Sequence, residues 1–119
     1  MKTTLETLHQ MAAILDKNKA RNIIALDVAS MTVVCEYMLI CSGRNGVHTK
    51  ALADELDERM TEAGLHPIRS EGQRDGRWII YDYGNILVEI FHPEEREYYN
   101  LERLWDDGTN RVELVLEPD

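Results

Sequence analysis

The stretch Trp78-Ile79-Ile80-Tyr81-Asp82-Tyr83-Gly84-Asn85-Ile86-Leu87-Val88-Glu89-Ile90-Phe91 decides the fold. Two apolar runs, 78–83 and 86–91, flank Gly84-Asn85. Two residues, one of them Gly, between apolar runs are the signal for a tight β-hairpin. Side chains alternate across a strand, so Trp78 and Tyr81 differ in parity and are expected on opposite faces. Glu89 is the anomaly, set between Val88 and Ile90 in the most apolar strand. It either faces solvent at an edge or offers a polar group to a partner; if buried, the carboxylate needs a partner or a raised pKa.

Upstream of the hairpin, residues 3–18 read as an amphipathic helix. Thr3 and Glu6 match a capping box, and Leu5, Leu8, Ala12 and Leu15 recur at helical spacing. Ile23 to Leu26 and Tyr37 to Ser42 are short apolar runs that read as buried strands, and the second implies helices over both sheet faces. Gly43 to Gly46 is a turn. Residues 47–63 form a second helix with Leu52, Leu56 and Met60 inward and Gly64 ending it, and Ile68 to Glu71 is a short strand. Downstream, Pro93 opens a helical turn in an acidic, aromatic segment over 94–105. Residues 111–117 alternate well enough for a late strand, with no assigned place in the sheet. The order predicts an α/β domain with a mixed five-stranded sheet flanked by helices.

The chain has 119 residues, enough for one domain and its apolar core. Thirteen Lys and Arg against 22 Asp and Glu give a net charge of −9 and a pI near 4.8. Such a field repels phosphate, which argues against DNA and anionic membranes. Residues 94–119 hold nine acids and three bases, so −6 of the −9 lies there. Six Trp and Tyr residues (Trp78, Tyr81, Tyr83, Tyr98, Tyr99 and Trp105) fall between 78 and 105. Aromatics with a polar handle are enriched at binding hot spots. With interleaved acids they suit a docking face for a basic protein; composition alone is equally met by core aromatics and a solvated acidic helix.

Chemistry finds little support. The four histidines are scattered in no ligand spacing, and His48 and His66 are expected to face solvent. Cys35 and Cys41 are not C-x-x-C and read as buried, reduced thiols, which favours a reducing, cytoplasmic setting. No signal core and no membrane-length apolar run is visible. Gly43-Arg44-Asn45-Gly46 is neither G-x-G-x-x-G nor a P-loop, and as a turn plus helix start it needs no ligand. No Asp-x-Asp stands ready for Mg²⁺. No cofactor or metal is expected.

The runs Glu71-Gly72, Trp78 to Val88, and Arg96-Glu97-Tyr98-Tyr99-Asn100-Leu101-Glu102-Arg103-Leu104-Trp105 resemble the central signatures of the ribosomal silencing factors, the Iojap-related proteins. Ala20 to Val28, Glu36 to Gly43 and Lys50-Ala51-Leu52-Ala53-Asp54 match in the same register, so the resemblance covers about residues 5–107. It implies a nucleotidyltransferase-like fold without catalytic residues. It also implies a homodimer that binds the large ribosomal subunit through large-subunit ribosomal protein fourteen, blocks joining of the small subunit, and lowers translation when nutrients are short. The chain departs from the family where Glu36 replaces Asp, where Glu89 replaces His, and in the turn 43–46. Residues 108–119 match poorly and read as a divergent acidic tail or an extra strand.

The expectation is a non-enzymatic translational repressor. Trp78, Asp82, Tyr83, Tyr98, Tyr99, Glu102 and Trp105 are the expected contacts or shapers of the face. Arg96 either pairs across the interface or braces the acids, and Glu89 is a polar group on the same strand system. Two alternatives stand beside it. One is a nucleotidyltransferase-like, nucleotide-binding enzyme using Asp27 and Asp82; the other is an acidic dimeric adaptor for another basic protein.

Overall fold

The computed structural model describes residues 2–116. The elements run α1 (Thr4–Lys17), β1 (Arg21–Asp27), β2 (Tyr37–Ser42), α2 (Gly46–Glu62), β3 (Arg69–Glu71), β4 (Trp78–Asp82), β5 (Ile86–Phe91), α3 (Pro93–Tyr99), α4 (Glu102–Trp105) and β6 (Arg111–Val112). The strands form one sheet in the order β3-β4-β5-β2-β1-β6. Among the described residues, only β2 and β5 pair in parallel; the other neighbours are antiparallel. The sheet has six strands where the sequence suggests five. The sixth, β6, is two residues laid on β1, with Ala25 opposite Val112. The remainder of the expected strand through 116 carries no pairing, and residue 117 lies outside the described residues.

Local chemistry sets the boundaries. The capping box at α1 is complete: Thr3 Oγ1 accepts from Glu6 N–H at 3.1 Å, and Glu6 Oε1 accepts from Thr3 N–H at 3.0 Å. Asn45 caps α2 by accepting from His48 N–H at 2.9 Å. The hairpin forms as expected. Tyr83 N–H donates to the Ile86 carbonyl, Gly84 takes φ +89, and Asp82 Oδ1 accepts from Gly84 N–H at 2.8 Å. Asp82 therefore builds the turn that follows it.

The two sheet faces differ. On one face α1 and α2 cover Ala25, Leu39, Cys41, Ile79, Val88 and Ile90, with Leu8, Leu15, Leu52 and Leu56 facing them. On the other, Leu26, Met38, Ile40 and Phe91 form a second cluster. Its cover is the residues around Val28 and Cys35 together with Trp78, Leu101 and Trp105, not a long helix. Helices are expected over both faces; the second carries only the short α4 with the loop residues around it.

His48 corrects a sequence expectation. It is buried, not solvent-facing. Its Nδ1 accepts from Arg44 N–H at 2.9 Å, so the proton sits on Nε2, which donates to the Asn18 carbonyl at 2.9 Å. The ring ties the end of α1 to the start of α2.

Candidate docking face

Trp78, Ile80 and Asp82 alternate onto the thinly covered face and lie opposite Phe91, Glu89 and Leu87 of β5. Trp78 is half-buried. It stacks on Phe91, with centroids 5.0 Å apart at 26°, and meets Tyr99 at 4.9 Å. Tyr99 in turn meets Tyr98 edge-on at 5.0 Å. Phe91, Trp78, Tyr99 and Tyr98 thus form a continuous aromatic ladder from the core to solvent. Tyr98 is 81% exposed and Tyr99 50%. The acids Glu94 and Glu97 sit beside them on α3 and are exposed.

Arg96 anchors this segment to the sheet. Its guanidinium pairs with Glu102 at 2.9 Å and donates to Ser42 Oγ at 3.0 Å and the Arg21 carbonyl at 3.3 Å. Both partners of the pair are largely covered. Arg96 and Glu102 thus pair with each other within the chain. Trp105 packs at the margin of the second cluster, and its carbonyl accepts from Asn110 Nδ2 at 2.7 Å. Asp82 is a partly covered acid with Arg69 at 3.6 Å.

Two expected face residues are buried. Tyr83 is 8% exposed and belongs to the helix-covered core, where it meets Tyr81 edge-on at 6.2 Å. It shares Tyr81's parity, not Trp78's. Glu89 is 2% exposed, neither at an edge nor in solvent. Its Oε2 accepts from the Trp78 indole N–H at 3.1 Å, and its Oε1 has no hydrogen-bond partner among the described residues. Burial pushes its pKa up to about 7, against the lowering effect of the indole bond and with the help of the Glu102 charge.

Some exposed apolar residues were passed over in the sequence reading. Leu104 on α4 and Met31, Val33 and Val34 between β1 and β2 are exposed. Met31 Sδ and the Trp105 carbonyl share the Asn110 amide as donor. The signal was faint: isolated apolar residues in turns do not form a period, and single exposed apolar residues are common.

The carboxyl ends of β2 and β5, where ligands of open α/β sheets bind, open on a groove of about 510 Å³ lined by Arg21, Asn22, Ser42, Gly43, Arg96 and Glu102. The Arg96–Glu102 pair lies along it. Asp27 and Asp82 stand on β1 and β4, three strand spacings apart, roughly 14 Å. Asp27 Oδ1 accepts from Ala29 N–H. One divalent ion cannot be shared across that span. Among the described residues, no group of three or more His, Cys, Asp or Glu could hold a metal, and no helix is long and apolar enough to cross a membrane.

Both thiols are buried and free. Burial raises Cys41 to about 12; burial with the Asp82 and Glu89 charges raises Cys35 to about 11. The thiolate is the reactive form. Ellman's reagent should therefore label neither cysteine in the native protein at pH 8 within minutes, and both after denaturation. Fast native labelling would mean that the cover over Cys35 opens readily.

The comparisons agree with this architecture. A family model described as "Ribosomal silencing factor during starvation" matches residues 1–118. "Ribosomal silencing factor RsfS" of Bacillus subtilis is 40% identical over 97 residues, covering 82% of each chain. The protein of the same name from Halalkalibacterium halodurans is 37% identical over 109 residues, covering 92% of each. A crystal structure of a Chromobacterium violaceum protein superposes with a TM-score of 0.82 at 28% identity, over 97% of this chain and 95% of that one. With its mixed sheet, its Trp78 hairpin and its Arg96–Trp105 segment in place, the chain belongs to the ribosomal silencing factor family.

Proposed function

We propose that the chain is a non-enzymatic translational repressor acting as a single domain in the cytoplasm. It docks on the large ribosomal subunit through large-subunit ribosomal protein fourteen and sterically prevents the small subunit from joining, which lowers translation when nutrients are scarce. Family membership across residues 1–118 carries this reading. The aromatic ladder ending in exposed Tyr98, set among acids, suits a basic protein surface. Contact falls to Trp78, Tyr98 and Tyr99. Arg96, Glu102 and Trp105 hold the segment that presents them, and Asp82 borders the face. A homodimer is the proposed state in solution.

The test is co-sedimentation with purified large subunits. Tyr98→Ala, at a site with little packing to lose, should melt as wild type and weaken docking by about 1–3 kcal/mol. Glu97→Lys, which reverses an exposed charge without touching the Arg96–Glu102 pair, should slow association, most of all at low salt, and flatten the salt dependence of binding. Unchanged sedimentation by both variants would remove this face from the interface. Sedimentation with another basic complex in preference to ribosomes would favour the adaptor reading.

A further inference from the structure

Glu89 is a buried acid with half its hydrogen-bonding capacity unused, directly beneath the aromatic ladder. Ile40 of β2 and Ile80 of β4 flank it in register. The charge that acts on it is Glu102 from α4, and Glu89 in turn acts on the Cys35 thiol, as does Asp82 of β4. Among the described residues, no cation pairs with it. Arg96 is engaged by Glu102 and Arg69 by Asp82. Its one donor is the Trp78 indole, a group of the proposed docking face. The chain has placed a carboxyl where its neighbours are acidic or apolar and has left the compensating positive charge out.

A basic partner laid over Trp78 supplies that charge. Covering the face further adds little desolvation, because Glu89 is already 2% exposed. A positive potential, by contrast, is new to the site, so the charge effect dominates. We propose that Glu89 is the proton-responsive group of the docking face, and that docking to a basic partner drives its proton off into solvent. This rests on the docking reading above and adds its regulation.

The direction follows from linkage. The free protein holds the proton up to about pH 7, and the docked protein holds it less tightly. Between the two ionisations docking releases a proton, so affinity climbs as pH rises and levels off above about 7. Acidification loosens the complex.

Sedimentation with purified large subunits at fixed salt and Mg²⁺, from pH 6 to pH 8, tests this with Glu89→Gln beside wild type. Gln keeps the shape and an acceptor for the indole but carries no proton to lose. Wild type should dock at least about threefold more tightly at pH 8 than at pH 6, and E89Q should show no such rise. In the free proteins, the Trp78 indole N–H resonance should titrate with a midpoint near pH 7 in wild type and stay constant in E89Q. That measurement needs only wild type if the variant folds poorly. A pH response shared by both proteins, wild-type docking that loosens as pH rises, or an indole signal that does not titrate between pH 5 and 9 overturns the inference while leaving docking intact. Failure to sediment at any pH overturns the docking reading and this inference together.

Discussion

Trp78→Ala should cost about 3 kcal/mol of stability and at least about 2 kcal/mol of docking. The indole does three things at once. It stacks on Phe91 in the second core cluster, it supports Tyr99 from below, and it is the sole hydrogen-bond donor to buried Glu89 among the described residues. Removing it opens a cavity over Phe91, frees Tyr99 to reorient, and leaves a buried carboxyl without a partner. Trp78→Phe separates these effects. It keeps an aromatic rung but removes the N–H, and should cost about 1–2 kcal/mol at pH 8, where Glu89 is ionised, and less at pH 5. Pairing it with Glu89→Leu in a double-mutant cycle should recover part of that loss, because neither polar partner is then left alone. Denaturant melts give the stability, and sedimentation with large subunits gives the docking. Additive single-mutant effects would show that the indole–carboxyl bond carries no coupling.

Gly72→Ala should be still more damaging to stability, by about 3 kcal/mol or more. Gly72 sits at φ +85, a left-handed backbone that other residues adopt only at a cost. A Cβ there would run into the Trp78 carbonyl oxygen, which is backbone and cannot swing aside. The chain must therefore either move the Trp78 peptide or unpair β3 from β4. The expected drop in Tm exceeds about 10 °C, with docking lost in parallel because Trp78 shifts with its peptide. A calorimetric Tm within two degrees of wild type would mean that the turn after β3 yields freely. The same contact gives a physical reason for the Glu71-Gly72 motif: it is the seat on which the Trp78 backbone rests.

The hairpin was legible because every level of its sequence agreed: apolar runs of strand length, Gly-Asn between them, and an Asp able to close the turn. Parity alone placed Trp78 and Tyr81 on opposite faces, and the clusters place them there. The same parity sends Tyr83 with Tyr81, so its burial was available to a stricter reading. Glu89 was not legible in this way. Its burial depends on α3 and α4 folding back over β5, held by Arg96 reaching Ser42, fifty-four positions away. His48 was hidden for a similar reason, since the carbonyl that accepts its Nε2–H hydrogen bond belongs to Asn18, thirty positions away. Short-range patterns report period and turn chemistry; they do not report which distant segment will close over a polar side chain. A late strand was legible at 111–117 from its alternation, but its place beside β1 was not, because that partner lies near the other end of the chain and only two residues pair.

The single parallel pairing has a consequence for how the protein comes into being. β2 finds its neighbour β5 only across all of α2, β3 and β4, and contacts of such long separation form late. During synthesis α1, β1, β2 and α2 emerge first and can associate, while Met38 and Ile40 stay uncovered on the far face. The residues that complete the middle of the sheet, 86–91, are followed at once by those that build the aromatic ladder, 93–105. Core closure and the presenting surface therefore arrive together, in the last quarter of the chain. A copy that stops before α3 lacks both Tyr98 and the Arg96 anchor, so under the docking proposed above it would not compete with the finished protein.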